Sequence, residues 1–374
     1  MKTKKYFIEI ILFMTYALFA MSWKAGDMLI AKMGFTASQT AIMTNAINIA
    51  KIFGSLSAAS MIAKLGNRKI FSYSTILISL GILIPFVHGF SLIFLIRFIL
   101  GLGGALVLVT INPIVAKIFS GDELTVVNGL NAVAFNVGLA IVLTLAKPIS
   151  ANPSLSIKII SIILLLEVIF WNFISKEIET NVSTASTNND NEHYTISDGL
   201  KDRFNWVFSL SYSGLLAFYL VAFTFMKADN VKYVIYSGVI GALAGTFQAK
   251  NIKNKLKLVR VTALLQLISA IGFIMFYNSP TVKFIGMLLG FFIFYPMPAF
   301  VTLAFNRKGT TPKKISVTFS IFWAMSYFMS ILLIQIFAFL KDSSGDKIAF
   351  IFILFVESSF FIGNTLFMKD DSKI

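Results

Sequence analysis

A chain of 374 residues in which 57% are hydrophobic and only 13% are charged cannot hide its apolar surface in a soluble core; soluble domains hold about 45–50% apolar and about 25% charged residues. The absence of cysteine excludes disulfides, thiol catalysis and cysteine-ligated metals, and the two histidines, His88 and His193, are too few and too far apart for a histidine metal site. A net charge of +15 points either to nucleic acid or to basic cytoplasmic loops, and the placement of the charges decides between them.

A membrane-spanning helix needs roughly 20 mostly apolar residues. Twelve such spans follow in chain order, near 6–28, 38–62, 70–90, 92–117, 125–147, 155–174, 204–226, 231–249, 258–278, 282–305, 315–340 and 347–368. Lipid offers backbone amides no partner, so each reads as a helix. The first follows Lys2, Lys4 and Lys5 like a signal peptide, but its apolar run is long and no small-residue cleavage site stands out. It is expected to be a retained helix. With the N-terminus in the cytoplasm, cytoplasmic segments carry about 21 basic residues and outside segments about nine, which satisfies the positive-inside rule. The cytoplasmic set includes Lys64, Arg68, Lys69, Lys250, Lys253, Lys255, Lys257, Arg260, Arg307, Lys308, Lys313 and Lys314. This absorbs most of the charge, so nucleic acid is not expected as a partner. Both termini fall in the cytoplasm.

The longest polar stretch, Ser175 to Arg203, is rich in Asn, Ser and Thr and reads as a flexible linker. Asn181–Val–Ser183 matches a glycosylation sequon, but a cytoplasmic loop is never glycosylated. The expected organisation is a six-helix bundle over 1–174, the linker over 175–203, and a second bundle over 204–374. An internal repeat supports it. Ala59 to Lys69 aligns with Gly245 to Lys255 at an offset of 186, and the same offset sets Arg97 on Lys283 and Gly104 on Gly290. Parallel repeats with a binding site between them are a transporter plan.

At this point the residues resemble the major facilitator superfamily. Its loop signature after the second helix, Gly-x-x-x-Asp-(Arg/Lys)-x-Gly-x-(Arg/Lys)-(Arg/Lys), is matched by Lys64, Gly66, Arg68 and Lys69, with Ala59 and Ala63 in place of the glycine and the aspartate. Its helix-4 signature, an arginine followed by a glycine-rich stretch, is matched by Arg97, Gly101, Gly103 and Gly104. A helix-5 signature is hinted at by Asn136 and Gly138. The resemblance implies an all-α fold of twelve transmembrane helices in two six-helix bundles, with helices 1, 4, 7 and 10 lining a central cavity. It implies secondary active transport of a small solute by alternating access, as symport or antiport coupled to protons or another ion. In the family the missing aspartate joins a latch on the cytoplasmic side; Ala63, and Ala249 in the second half, stand where an acid is expected.

An ionisable group inside the bilayer is costly and is a functional candidate by default. Arg97 needs an anionic or polar partner. It reads as an anion-binding or proton-coupling group, or as a structural tie to a neighbouring helix. Asp27 follows Lys24 by three residues on one face. Within the resembled fold it can pair with Arg97 and switch partners; otherwise Lys24 and Asp27 form a wet pair at the helix end. Lys51 lies deep in the second span and shares a face with Asn48, which makes a polar, cationic strip or an interior hydrogen-bond network. Glu167 and Glu357 are embedded acids able to carry protons, as is Asp27. Asn112–Pro113 and Tyr295–Pro296–Met297–Pro298 remove helical hydrogen bonds at nearly equivalent places in the two halves. They read as a binding or gating region, or as static kinks, and add Asn112 and Tyr295 to the substrate and coupling set. Asn131, Asn136 and Gln266 read as interhelical hydrogen-bonding residues, and Gly241-x-x-x-Gly245 and Gly286-x-x-x-Gly290 as packing faces within the bundle rather than for dimerisation.

No phosphate-binding Gly-x-x-x-x-Gly-Lys-(Ser/Thr) sequence is present. No cofactor, metal or enzymatic activity is expected, and the chain reads as a monomer. The candidate cations Lys24, Lys51 and Arg97 outnumber Asp27, which favours an anionic or zwitterionic organic substrate. Export of drugs, metabolites or siderophores is the alternative, and a non-transporting receptor or channel is the rival class. Residue usage rich in Lys, Asn, Ile and Phe resembles that of a low-GC bacterium, which places the chain in a bacterial inner membrane.

Overall fold

The computed structural model describes residues 2–176, 194–249 and 252–369. The sequon Asn181–Ser183, His193, Lys250 and the core of the polar stretch lie outside the described residues, as do the side chains of Ala59, Ala63 and Lys313. The chain divides into two compact units, Met1–Asn189 and Asp190–Ile374. The described residues are helical with no strand, as the need to satisfy backbone groups inside lipid dictates.

The first unit holds α1 (Lys2–Ile30), α2 (Ala37–Ser79), α3 (Phe90–Ile118), α4 (Gly121–Thr144), the short α5 (Ala146–Ala151) and α6 (Pro153–Ile174). Two chain reversals have local causes. Gly34 takes a left-handed φ of 73° after α1, and Thr36 opens α2 with a reciprocal capping box to Gln39. Asn152 caps α6 ahead of Pro153, whose missing N–H costs nothing in the first turn.

The second unit holds α7 (Ile196–Lys201), α8 (Arg203–Phe225), α9 (Ala228–Ala249), α10 (Lys255–Met275), α11 (Val282–Phe294), α12 (Met297–Phe305), α13 (Pro312–Ser344), α14 (Asp346–Glu357) and α15 (Ser359–Ile362), closed by a π-helical turn at Gly363–Phe367. The end of the polar stretch is thus not all linker. Thr195 and Asp198 form a capping box that starts α7, and Asp202 caps α8 at the Phe204 amide.

Two features depart from the sequence reading. The loop expected between the second and third spans is helical: α2 runs on through it, and only Gly66, at φ 79° and ψ 155°, leaves helical geometry. The Asn112–Pro113 step does not interrupt its helix, because α3 continues past it to Ile118. Tyr295–Pro296 does interrupt, splitting the tenth span into α11 and α12. By length and composition alone, ten helical segments among the described residues are apolar enough to cross a membrane. All of α9 falls short of that apolarity, with Asp229 and Lys232 in its first turns. Counting the two arms of α2 separately, each unit has six long helical segments, and the outer faces are apolar: Phe173 is 69% exposed and Phe355 75%.

The two units repeat one internal plan. In the first, α1 packs on α4 and α6, and α2 on α3 and α6; in the second, α8 packs on α13 and α14, α9 on α11, and α10 on α14. The side chains show the repeat at an offset of 192 rather than 186. Arg68 Nη2 donates to the Asn172 carbonyl at 2.9 Å, and Arg260 Nε to the Asn364 carbonyl at 2.8 Å. Each arginine satisfies a carbonyl that a helix end leaves unpaired. By contrast, Lys283, aligned with Arg97 at offset 186, is exposed beside the Tyr233 ring.

Candidate functional site

The first unit buries an ion pair. Asp27 stands in the last turn of α1 and Arg97 two turns into α3, and both are almost wholly enclosed, at 5% and 1% exposure. Arg97 Nη2 donates to Asp27 Oδ1 at 2.6 Å, and Arg97 Nε donates to the Met43 carbonyl of α2 at 2.8 Å. One guanidinium therefore ties three helices. Gly26 makes room for it, since a Cβ there would come 3.0 Å from Arg97 Nη1. Asp27 Oδ2 has no hydrogen-bond partner among the described residues, which leaves the carboxylate half satisfied. Lys24, also buried, lies within electrostatic reach of both partners. Lys24 and Asp27 are therefore not a wet pair at a helix end.

Lys51 projects from α2 into a cage of three rings. Its Nζ lies 5.5 Å from the Phe19 centroid, 4.9 Å from Trp23 and 5.2 Å from Phe135. All three distances fall within cation–π range, and Trp23 and Phe19 are fully buried. The rings brace one another, with Phe135 5.9 Å from both Phe19 and Trp23. One turn before Lys51, the fully buried Asn48 amide has no hydrogen-bond partner among the described residues, nor has the Thr44 hydroxyl on the same face. Buried polar groups are normally bonded, so this strip is chemically unsaturated. Trp23 and Lys24 are adjacent in α1, so the cage and the ion pair draw on neighbouring residues of the same helix.

Other candidates lie elsewhere. Asn112 is exposed, fifteen residues beyond Arg97 on α3, or about 22 Å along the axis at 1.5 Å per residue. Tyr295, in the second unit, is half-buried and stacks on Phe291 at the α11–α12 break. Lys64 and Lys69 are exposed around the Gly66 kink. Arg68 donates to Ser175 Oγ at 3.0 Å and to the Asn172 carbonyl, while the Trp171 indole N–H donates back to the Arg68 carbonyl at 3.2 Å. Glu167 accepts from the Thr15 hydroxyl of α1 at 2.9 Å. Glu357 accepts from the Gln266 side-chain amide.

The sequence reading passed over Glu9. It is 7% exposed and lies beside Asn131 of α4. It sits in the same first turns as the N-terminal lysines, where an acid looks like part of a wet helix end. Its spacing was the available signal: eighteen residues before Asp27 is five full turns, so both acids occupy one face of α1.

Residues 7–334 match the family model of the Major Facilitator Superfamily. The chain belongs to the major facilitator superfamily. It is 30% identical over 318 residues to the Campylobacter jejuni protein Cj0987c, covering 78% of this chain and 96% of that one. It is 19% identical over 333 residues to the Mesomycoplasma hyopneumoniae protein mhp246, covering 75% and 67%. Among solved structures, a point mutant of the nucleoside transporter NupG superposes with a TM-score of 0.72 at 12% identity, over 96% of this chain and 98% of that one. The inward-open xylose transporter XylE from E. coli gives 0.71 at 14% identity, over 96% and 95%. These likenesses establish the twelve-helix fold of the superfamily. Membership makes the chain a multi-pass membrane transporter of a small molecule.

Arg68 makes its contacts with the end of α6 through a serine hydroxyl and a main-chain carbonyl.

Proposed function

We propose that this transporter is a proton- or ion-coupled carrier of a small organic anion or zwitterion, working by alternating access as a monomer. Its membrane is the bacterial inner membrane, with both termini cytoplasmic. The observation that carries the reading is the Asp27–Arg97 pair, buried with one carboxylate oxygen unbonded among the described residues. A guanidinium stays charged throughout, so its partner can change only by protonation of Asp27 or by arrival of a substrate anion. Either event frees Arg97 from α1. Lys24 and Lys51 add positive charge to the same unit, and the unbonded Asn48 amide offers both a donor and an acceptor to a carboxylate-bearing solute. Glu167 and Glu357 remain secondary proton carriers in this scheme.

Counterflow in proteoliposomes tests the reading, after a thermal-shift screen of anionic, zwitterionic and cationic solutes identifies a ligand by mass action. A carrier exchanges labelled external solute for unlabelled internal solute. Saturable binding without exchange would make the chain a receptor, and a hit list confined to cations would overturn the substrate class.

Lys51→Met separates charge from volume. Methionine is apolar and flexible enough to fill the ring cage, so the fold is expected to hold. A hydrogen bond or ion pair to a charged group contributes about 1.5–3 kcal/mol, so the half-saturating solute concentration should rise about tenfold or more. Unchanged uptake kinetics in Lys51→Met would remove this lysine from solute binding.

A further inference from the structure

Glu357 and Gln266 belong to the second unit and take no part in the ion pair of the first. Both are fully buried. Glu357 ends α14, Gln266 stands midway along α10, and the Gln266 Nε2 amide donates to Glu357 Oε1. Two buried oxygens are left over, Gln266 Oε1 and Glu357 Oε2, and neither has a hydrogen-bond partner among the described residues. In an ionised carboxylate both oxygens are acceptors, and an amide oxygen is an acceptor too. The leftover atoms then cannot bond each other. A proton on Oε2 converts them into donor and acceptor. Such an acid has a hydrogen to give to the amide oxygen while the amide donates to Glu357 Oε1, the pairing that an acid and an amide make side by side.

Among the described residues the surroundings supply no counter-charge. The helices packed on α14 are α8, α10 and α13. α8 carries no charged residue between Arg203 and Lys227, and α13 none between Lys314 and Lys341. Their tyrosines are engaged with other rings, Tyr212 with Phe322, Tyr219 with Phe294 and Tyr327 with Trp323. At the end of α10, Tyr277 packs on Phe350 and accepts from the Lys227 amide. On α10 itself, Arg260 is bonded to the carbonyls of Asn364 and Met368, at 2.8 and 2.9 Å, and Lys255 and Lys257 precede it at the start of the helix. Asp346 and Lys347 stand at the opposite end of α14, where Asp346 pairs with Lys341. Among the described residues no cation faces Glu357, and an unpaired charge in such a place is prohibitively costly.

We propose that Glu357 and Gln266 form a proton-binding site of the second unit, occupied in this conformation, with the proton held between Glu357 Oε2 and Gln266 Oε1. Loss of that proton sets two acceptors against each other with no cation in reach. The α10–α14 contact must then open or admit water. Proton occupancy is thereby tied to how these two helices pack. The site deepens the proton-coupled reading above, yet its existence is tested without any transport measurement.

The test uses the full chain in lipid vesicles. Infrared spectra are expected to show a protonated-carboxyl C=O band at neutral pH that disappears in Glu357→Gln. That variant can pair side by side with Gln266 as two amides and is expected to insert normally. In Gln266→Leu the band is expected to persist but to move to the position of a carboxyl without a hydrogen-bond acceptor. Dicyclohexylcarbodiimide, which adds to protonated carboxyls in apolar surroundings, is expected to label the Glu357 peptide of the wild-type chain, as read by mass spectrometry. This arm needs no variant to fold. A carboxyl band unchanged in Glu357→Gln, or no label on Glu357, overturns the proposal. Proton-driven transport that survives Glu357→Gln would instead overturn only the link between this site and coupling.

Discussion

Arg97→Ala is expected to abolish transport while the chain still inserts in the membrane. The substitution removes three things at once: the 2.6 Å bond to Asp27, the 2.8 Å bond to the Met43 carbonyl, and the cation that offsets a buried carboxylate. Breaking a buried pair by deleting one partner costs about 3–5 kcal/mol, mostly through the charge left behind. Insertion is governed by span apolarity and should be unaffected, or even helped, by loss of a charge. A merely structural arginine would show a fall in thermal stability that accounts for the lost activity. The transport role predicts more. Asp27→Ala combined with Arg97→Ala should regain much of the stability lost in the single variant, because no unpaired charge remains, yet stay inactive. A double-mutant cycle isolates that coupling. Arg97→Lys keeps the charge but not the planar fork, so it can hold Asp27 or the Met43 carbonyl but not both. Uptake should fall at least roughly tenfold, the equivalent of one hydrogen bond to a charged group. Uptake kinetics unchanged in Arg97→Ala would sink the assignment.

The ion pair was legible because the bilayer makes embedded charges conspicuous: an acid and an arginine of opposite sign stood out against apolar spans. The ring cage was not. Lys51 was visible as a misplaced cation, but Phe19, Trp23 and Phe135 are ordinary members of a set of 39 phenylalanines and four tryptophans. Only the packing of α1 on α4 brings them to one ammonium. The same limit applies to Gln266 and Glu357, 91 residues apart in sequence. Each could be identified as an embedded polar group, but not as partner to the other.

Helix interruptions show a different limit. Asn112–Pro113 and Tyr295–Pro296–Met297–Pro298 carry the same breaking residue, yet only the second breaks. Pro113 removes one N–H from a helix that continues on both sides. Pro296 and Pro298, two residues apart, remove two neighbouring donors, and helical hydrogen bonding lapses between α11 and α12 although Tyr295 and Pro296 keep α-region dihedrals. Conversely, the polar run around Gly66 looked like a loop, although its residues are compatible with helix and only the glycine departs from it. Polarity there marks the membrane boundary rather than an end of secondary structure. The offset of 186 pairs Gly104, which faces the Phe19 ring, with Gly290, which faces the Val234 carbonyl, whereas the arginines that tie helix ends align at 192. Insertions between spans shift the register, and one offset cannot describe the whole repeat.

Gly290→Ala is expected to cause the largest structural damage of any single-methyl addition in the second unit. A Cβ at Gly290 of α11 would lie 1.9 Å from the Val234 carbonyl oxygen and 2.4 Å from Ser237 Oγ. Neither can yield cheaply, since the first is backbone. The facing helix is built the same way. A Cβ at Gly241 of α9 would come 2.5 Å from the Phe291 carbonyl oxygen, and one at Gly245 would come 2.1 Å from that of Tyr295. The small faces of α9 and α11 thus interlock with each other, which is how helices associate where water supplies no hydrophobic drive. Adding a methyl forces the pair apart along its whole length. The cost should exceed the roughly 1–3 kcal/mol usual for overpacking and appear as a large fall in Tm of the purified protein. Gly272→Ala is the control. Its nearest neighbour is the flexible Ile285 side chain at 3.4 Å, and alanine favours helix over glycine by about 1 kcal/mol, so stability should hold or rise slightly. The pair of variants also bears on assembly. Glycine faces occupied within one unit are not available to a second copy. A Gly290→Ala protein with unchanged Tm but altered mass in solution would place those faces between chains instead.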